Sequence, residues 1–128
     1  MTSDEFIAAI KVAVHDAAVA GVIETVEQPS GRKPTECIAK LSSWYNALSE
    51  ADKKNVSTMV THGVHAALFG LFAVIDGVRV IEDVGEKSEF TLIQKRDGVE
   101  TPINSPSVLL HDIYQAEVWD EIFGGLAT

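Results

Sequence analysis

The sequence predicts a single domain over residues 1–128 with an α+β fold that is mainly helical. Apolar residues recur at helical spacing through much of the first half of the chain. The stretch from Val64 to Ile75 is apolar on nearly every side, and a helix of that kind has to be surrounded by other elements. We therefore expect a central buried helix packed by N-terminal and C-terminal helices, with a small antiparallel β-hairpin or three-stranded meander.

The first helix begins at Thr2, which pairs with Glu5 three residues later in the pattern of a capping box. Apolar residues then repeat at helical spacing, namely Ile7, Ile10, Val14 and Ala17. Residues 28–34 (QPSGRKP) combine proline, serine and glycine, which together stop a helix. A loop is therefore expected there.

A second helix is predicted from about Thr35 to Leu48. Its apolar stripe consists of Ile38, Leu41, Tyr45 and Leu48, with Trp44 beside it. Cys37 lies on or next to this stripe. That position favours a buried structural thiol over a nucleophile that is activated by a distant histidine.

The third helix is predicted to be the central one. Ser49 and Asp52 form a second capping-box pattern at its start, and Gly77 is a suitable C-terminal cap. Gly63 and Gly70 are seven residues apart and therefore share a face. Because each glycine costs about 1 kcal/mol of helix propensity relative to alanine, we expect a packing role that requires close contact between helices.

After the central helix the apolar pattern changes from helical to alternating. Val78 and Val80 predict a short strand. A hairpin follows, in which residues 90–96 and 99–104 pair across the two-residue turn signal Asp97-Gly98.

The expected register supports this hairpin. Lys95 lies opposite Glu100 and Leu92 lies opposite Ile103. These are an opposite-charge pair and an apolar pair, and both stabilise neighbouring strands.

A last helix is predicted from Ser105 to Phe123, ended by Gly124 and Gly125. The region from 97 to 128 carries six acids and no lysine or arginine. Its charge is either a solubilising feature or an acidic surface for a basic protein partner. The candidate partner-binding residues are Glu100, Asp112, Glu117, Trp119, Asp120 and Glu121.

The overall charge limits the classes of partner. With a net charge of −9 and a pI near 4.7, the chain is repelled by nucleic acid and by anionic membrane surfaces. The longest apolar run is about a dozen residues, whereas a bilayer span needs roughly 20, so we expect no membrane span. The acidic start MTSDEF and the single cysteine favour the cytoplasm.

Histidines raise the alternative of a metal-binding enzyme. His62 and His65 are three residues apart on the central helix, and His111 on the last helix could complete a zinc site. In the alternative interpretation, these histidines lie at the edge of the core and form hydrogen bonds to backbone groups or to Asp112. Because strong zinc signatures bring cysteines or an HExxH spacing, we expect no cofactor and favour a non-enzymatic protein.

Three segments carry a resemblance to known proteins, namely WYNALSEADKK from Trp44, HAALFGLFAVIDGVRVIED from His65 and LLHDIY from Leu109. Together they resemble a group of small bacterial proteins without assigned activity. The size, acidity and helical content are also similar to those of immunity proteins, which neutralise bacterial toxins. The resemblance implies no specific functional residue, because its motifs are structural.

The sequence thus favours a non-enzymatic acidic binding protein, and an immunity-like inhibitor of a basic bacterial toxin is the specific hypothesis. Two alternatives stay open, namely the metal-binding enzyme built on the three histidines and a structural homodimer. The homodimer would be joined through the small-residue faces of the helices.

Overall fold

The computed structural model describes residues 1–31 and 33–124. Arg32 in the predicted loop and Gly125 at the predicted end of the last helix lie outside the described residues. The helices are α1 (Ser3–Ile10), α2 (Ala17–Glu27), α3 (Glu36–Asn46), α4 (Glu50–Ile75), α5 (Leu110–Glu117) and α6 (Trp119–Ile122), with a π-helical segment over Lys11–Asp16. The strands are β1 (Ile93–Arg96) and β2 (Val99–Pro102). The predicted α+β, mainly helical class is confirmed.

Helix starts follow the capping signals in the sequence. The Glu5 backbone N–H donates to the Thr2 hydroxyl at 3.1 Å, and the Thr2 N–H donates to the Glu5 carboxylate at 3.2 Å. This reciprocal pair confirms the predicted capping box. At the start of α4, the Asp52 N–H donates to the Ser49 hydroxyl at 3.1 Å. Each contact satisfies an N–H group that has no partner inside its helix.

Two long helical stretches run antiparallel to each other. The first is the continuous run Ser3–Glu27, called here the N-terminal helical run, and the second is α4. Phe6 near the start of the run packs edge-on against Phe72 near the end of α4, with ring centroids 6.5 Å apart. The main core lies at this end of the pair and consists of Ile7, Phe72, Ile103, Leu110, Tyr114, Val118 and Ile122.

Burial is concentrated at that end. Within α4 the buried residues are Gly70, Phe72 and Ala73, whereas Met59 is 74% exposed and Leu71 is also exposed. Both long stretches are long and apolar enough to cross a membrane by length and composition alone, a test that the core helix of a soluble protein also passes. The predicted central helix is therefore packed mainly at its C-terminal end.

The end of α4 confirms the predicted glycine cap. Gly77 has a φ of +77°, a conformation that L side chains rarely adopt. At Gly70 the nearest neighbour is the Arg79 side chain, whereas we had expected another helix. A Cβ atom there would overlap the Arg79 guanidinium group, so the missing side chain makes room for Arg79.

The hairpin has the predicted register, with Lys95 paired to Glu100. Asp97 and Gly98 have φ angles of 51° and 76°, as a type I′ turn requires. Just beyond the strands, the Ile103 N–H donates to the Leu92 carbonyl at 2.8 Å.

The predicted strand at Val78 and Val80 is not found, and the described residues form a two-stranded sheet. The N–H groups of Val78 and Arg79 both donate to the Ala73 carbonyl, so this segment completes the end of α4. Val78 and Val80 are exposed. The three-stranded meander is therefore absent from residues 1–31 and 33–124.

Two further predictions need correction. The last helix begins at Leu110, because Ser105 and Val108 bond to each other across a turn, and it is interrupted at Val118. Cys37 is exposed, as are Trp44 and part of Leu41. Since α3 packs mainly against α2, its buried side carries Tyr45, which belongs to the predicted stripe, together with Ser42.

Candidate functional site

A buried polar network links the N-terminal helical run to the C-terminal helices. His15 lies in the π-helical segment and is fully buried. Its Nδ1 atom is 2.7 Å from the Tyr114 hydroxyl oxygen, and its Nε2 atom is 2.9 Å from a Glu121 carboxylate oxygen. π-helical turns inside helices frequently occur at functional sites. The network is therefore the first candidate for chemistry.

The donors and acceptors of this network follow from its chemistry. An ionised carboxylate can only accept, so His15 Nε2–H donates to Glu121. In the imidazole tautomer with its proton on Nε2, Nδ1 accepts and the Tyr114 hydroxyl donates to it. Burial raises the pKa of Tyr114 to about 12, with smaller contributions from the charges of Glu121 and Asp16. The phenol therefore stays protonated at neutral pH.

Lys11 forms ion pairs with the two carboxylates at this network, those of Asp16 and Glu121. Its Nζ atom is 2.9 Å from Asp16 Oδ1 and 3.6 Å from Glu121 Oε2. The hydrogen bond to Asp16 raises the pKa of Lys11 against the opposing effect of burial, and the charges of both carboxylates raise it further. Ligand atoms of His15, Asp16 and Glu121 lie within 4.8 Å of one another, which is close enough for a metal site. Because the Lys11 ammonium group already bridges both carboxylates, a metal ion would have to displace it.

A second polar pair joins α4 to α5. Asp76 has a fully buried side chain, and its Oδ2 atom accepts from the His111 backbone N–H at 2.9 Å. The same oxygen is 2.6 Å from His111 Nδ1, and His111 Nε2 is 3.3 Å from Asp112 Oδ1. The residue before α5, Leu109, has no capping side chain, so Asp76 acts as the cap from another helix.

Asn104 fixes the segment next to this pair. Its Oδ1 atom accepts from the Leu92 N–H at 2.7 Å, and its Nδ2 group donates to the carbonyls of Ile75 and Phe90. A cleft of about 300 Å³ lies beside these residues and is lined in part by Asp76 and Asn104. The Asn104 amide is held by protein groups at both its oxygen and its nitrogen, and Asp76 Oδ2 is held by His111, so these contacts have a structural role. Asp76 Oδ1 is buried and has no hydrogen-bond partner among the described residues.

The predicted metal ligands have different surroundings. His62 is exposed, whereas His65 stacks on Tyr114 at 5.8 Å and contacts Phe69 and Phe123. Burial lowers the pKa of His65, and the nearby His62 and His15 lower it further.

His62, His65 and His111 do not form a metal-sized group of ligand atoms among the described residues. His65 and His111 lie at the edge of the core, as the alternative interpretation predicted, but His65 Nε2 is buried without a hydrogen-bond partner among the described residues. The contact between His111 Nε2 and Asp112 Oδ1 agrees with the predicted pairing of a histidine with Asp112.

The predicted partner-binding residues do not all lie together in the structure. Asp112 and Glu117 on α5 line a shallow depression together with Asp4 on α1, and the other lining residues are Ile113 and Ala116. This set is called the acidic depression below. Three of its five residues are acidic, so it is a local concentration of negative charge at the surface.

The remaining candidates lie outside the acidic depression. Glu100 is on the hairpin and pairs with Lys95 at 3.3 Å. Glu121 turns toward Lys11 and His15, and Asp120 is exposed on α6. Trp119 is 49% exposed and packs on Phe123, with ring centroids 4.4 Å apart.

Several important residues were missed by the sequence analysis. Asp4 comes from the other end of the chain, and only the fold places it beside α5. His15 has one local signal, a lone histidine in an alanine-rich helix next to Asp16. Its partners Tyr114 and Glu121 are about a hundred residues away, so their contact has no short-range signature.

Comparison with protein-family models, with curated proteins and with solved structures gave no match. Function is therefore inferred from the residues and their geometry.

Proposed function

We propose that this chain is a non-enzymatic binding protein that uses the acidic depression to bind a basic protein, as an immunity protein binds a toxin. The observation that carries this proposal is the convergence of Asp4, Asp112 and Glu117 on one surface of a chain with a net charge of −9. Carboxylates that are exposed and close together attract a cationic surface and repel an anionic one.

Electrostatics supports fast binding at this surface. Complementary fields raise association rates by about 10- to 1,000-fold at low salt, and the effect declines as the Debye length shortens. Half-exposed Trp119 on α6 lies outside the acidic depression and is an aromatic group of the type that dominates binding energy at protein interfaces. The proposed partner is a protein with a positively charged binding surface.

The buried network favours binding over catalysis. His15 directs its two nitrogen atoms to Tyr114 and Glu121, and His111 directs its own to Asp76 and Asp112. A catalytic base has to reach the proton that it removes from a substrate. Since His15 is fully buried and hydrogen-bonded on both sides, it is suited to holding helices together.

The experiment compares two triple variants that remove equal charge. The test variant changes the acidic depression (Asp4→Asn, Asp112→Asn and Glu117→Gln). The matched control changes three exposed carboxylates at the opposite end of the helical pair (Glu27→Gln, Glu36→Gln and Glu50→Gln). Each protein is used to capture partners from a lysate of the source cells at low and high salt, and captured proteins are identified and purified.

The expected result is a basic partner that binds wild type and the control with similar affinity. The test variant should bind it about tenfold more weakly, mainly through a slower association rate, and high salt should remove the difference. Partners that are acidic, or that are lost equally from both variants, would contradict the proposal. If the partner is toxic when expressed alone, coexpression with wild type but not the test variant should restore growth.

A further inference from the structure

The two long helical stretches expose an unusual apolar surface. Between Glu5 and Glu24, every exposed residue of the N-terminal helical run is apolar: Ala8, Ala9, Val12, Ala13, Val14, Ala17, Ala20, Gly21 and Val22. From 59 to 71, α4 exposes Met59, His62, Gly63, Ala66, Ala67 and Leu71. These residues are called the helical apolar surface below. A solvent-facing helix normally carries charged or polar residues on its outer side.

Two glycines on this surface have no close neighbour in the part of the chain that the structure describes. A Cβ atom at Gly21 or Gly63 would meet no heavy atom of residues 1–31 and 33–124 within 4 Å, apart from its own stretch of helix. Glycine inside a helix is less favourable than alanine, so its presence favours a close approach of something outside the chain. Small residues allow two helix backbones to pack closely, as in the contact that the sequence led us to expect at Gly63.

The exposed area also exceeds that of a typical monomer. The accessible surface of the chain is 8855 Å². A folded monomer of 13.8 kDa is expected to have about 6,600 Å². The excess of about 2,000 Å² belongs to the whole chain, and the largely exposed segment 78–91 contributes to it. It is larger than the roughly 800 Å² that each partner buries in a standard interface, so the helical apolar surface can supply an interface of that size with only part of the excess.

We infer that the helical apolar surface is the interface with a second copy of this chain. In a twofold dimer the same surface meets itself, so the alanines and glycines of one subunit face those of the other. Met59 and Leu71 would then be buried and no longer exposed to water. This inference is independent of the proposed binding of a basic protein.

Two charged side chains of the N-terminal helical run indicate that a second copy of this chain, and not a lipid bilayer, covers the helical apolar surface. Lys11 and Asp16 lie near the middle of the N-terminal helical run, and both side chains are partly open to solvent. In a membrane-spanning helix this ion pair would lie at the level of the hydrocarbon core, where charged groups are costly. At the edge of a dimer interface the same pair stays in contact with water.

The first test measures the mass of the full chain by sedimentation equilibrium from 1 to 100 μM. Wild type should sediment at twice the chain mass of 13.8 kDa. Ala13→Glu and Ala66→Glu each place a charge on the helical apolar surface, and each should shift the protein to monomer. Ala39→Glu is the matched control on α3, because Ala39 is an exposed helical alanine outside this surface. It should remain a dimer.

The second test uses Gly63→Ala, for which monomer and dimer predict opposite results. In a monomer the added methyl group meets open space and should raise the melting temperature by a few degrees. In the proposed dimer it should weaken association at least tenfold. A monomeric wild type, a dimer unaffected by Ala66→Glu, or flotation of wild type with phosphatidylcholine–phosphatidylglycerol vesicles would each overturn the inference.

Discussion

Tyr114 connects the buried polar network to the hydrophobic core. Its hydroxyl bonds to His15, and its ring contacts His65 and Phe72 at centroid distances of 5.8 and 5.5 Å. In Tyr114→Phe, the Nδ1 atom of buried His15 loses its donor. We expect the free energy of unfolding in urea to fall by about 1–3 kcal/mol. Tyr45→Phe makes the same chemical change at the other tyrosine and should cost less; equal losses would contradict the role of this hydrogen bond.

His65 should make stability sensitive to acid. Burial lowers the pKa of His65 from its ordinary value of 6.5, with smaller contributions from His62 and His15. The unfolded chain therefore binds this proton more tightly than the folded chain does. Stability is fully present above pH 6.5 and is lost as the pH falls below it.

The measurement is the free energy of unfolding in urea between pH 7.5 and about 5.5. His65→Phe keeps an aromatic ring beside Tyr114 and Phe123 and removes the proton-binding group. Its free energy should fall less steeply with decreasing pH than that of wild type. Exposed His62→Gln serves as the control and should keep most of the slope. An unchanged slope in His65→Phe would exclude His65 as the main source.

The start of α5 depends on a side chain from α4. Asp76 accepts from the His111 N–H and lies 2.6 Å from His111 Nδ1. Asp76→Ala removes both contacts from a buried position, and we expect a loss of about 3 kcal/mol in the free energy of unfolding. Hydrogen exchange of the α5 amides should also accelerate.

Two controls separate this effect from a general loss of charge. Asp52→Ala removes an exposed carboxylate from the first turn of α4 and should cost well under 1 kcal/mol. Asp76→Asn keeps an acceptor for the His111 N–H and should be less harmful than Asp76→Ala. If Asp76→Ala and Asp52→Ala have similar effects, Asp76 is not the cap of α5.

Elements with short-range signals were predictable from the sequence. The Thr2–Glu5 capping box, the glycine cap at Gly77 and the Asp97-Gly98 turn are each complete within a few residues. The alternating pair Val78 and Val80 carried the same signal as a strand. It failed because a strand also needs a neighbour to bond with, and the backbone N–H of Val78 bonds to the end of α4 instead.

Contacts between distant parts of the chain were not predictable in the same way. Asp76 and His111 are 35 residues apart, and His15 and Tyr114 are 99 apart. Composition showed that the C-terminal region is acidic. It could not show that Glu121 turns inward to Lys11 while Asp4 joins Asp112 at the surface. The sequence shows which region of the chain is acidic. The fold is needed to show which carboxylates turn inward and which lie at the surface.

The molecule as a whole has one well-packed end and two long helices that extend from it. An all-apolar helix was expected to be surrounded, and within one chain α4 is buried mainly near Phe72. The open part coincides with Gly63 and the neighbouring alanines. A second copy would complete the surroundings that the sequence requires, and it would leave the acidic depression on α1 and α5 available for another partner.

This architecture predicts a melting temperature that depends on protein concentration. Unfolding of a dimer releases two chains, so mass action stabilises the folded state as concentration rises. With the unfolding enthalpy expected for a dimer of this size, a tenfold increase in concentration should raise the melting temperature by about 2–3 °C. The measurement is differential scanning calorimetry from 5 to 500 μM. Ala66→Glu should remove the dependence and Ala39→Glu should keep it, whereas a constant melting temperature for wild type would indicate that the folded unit is a single chain.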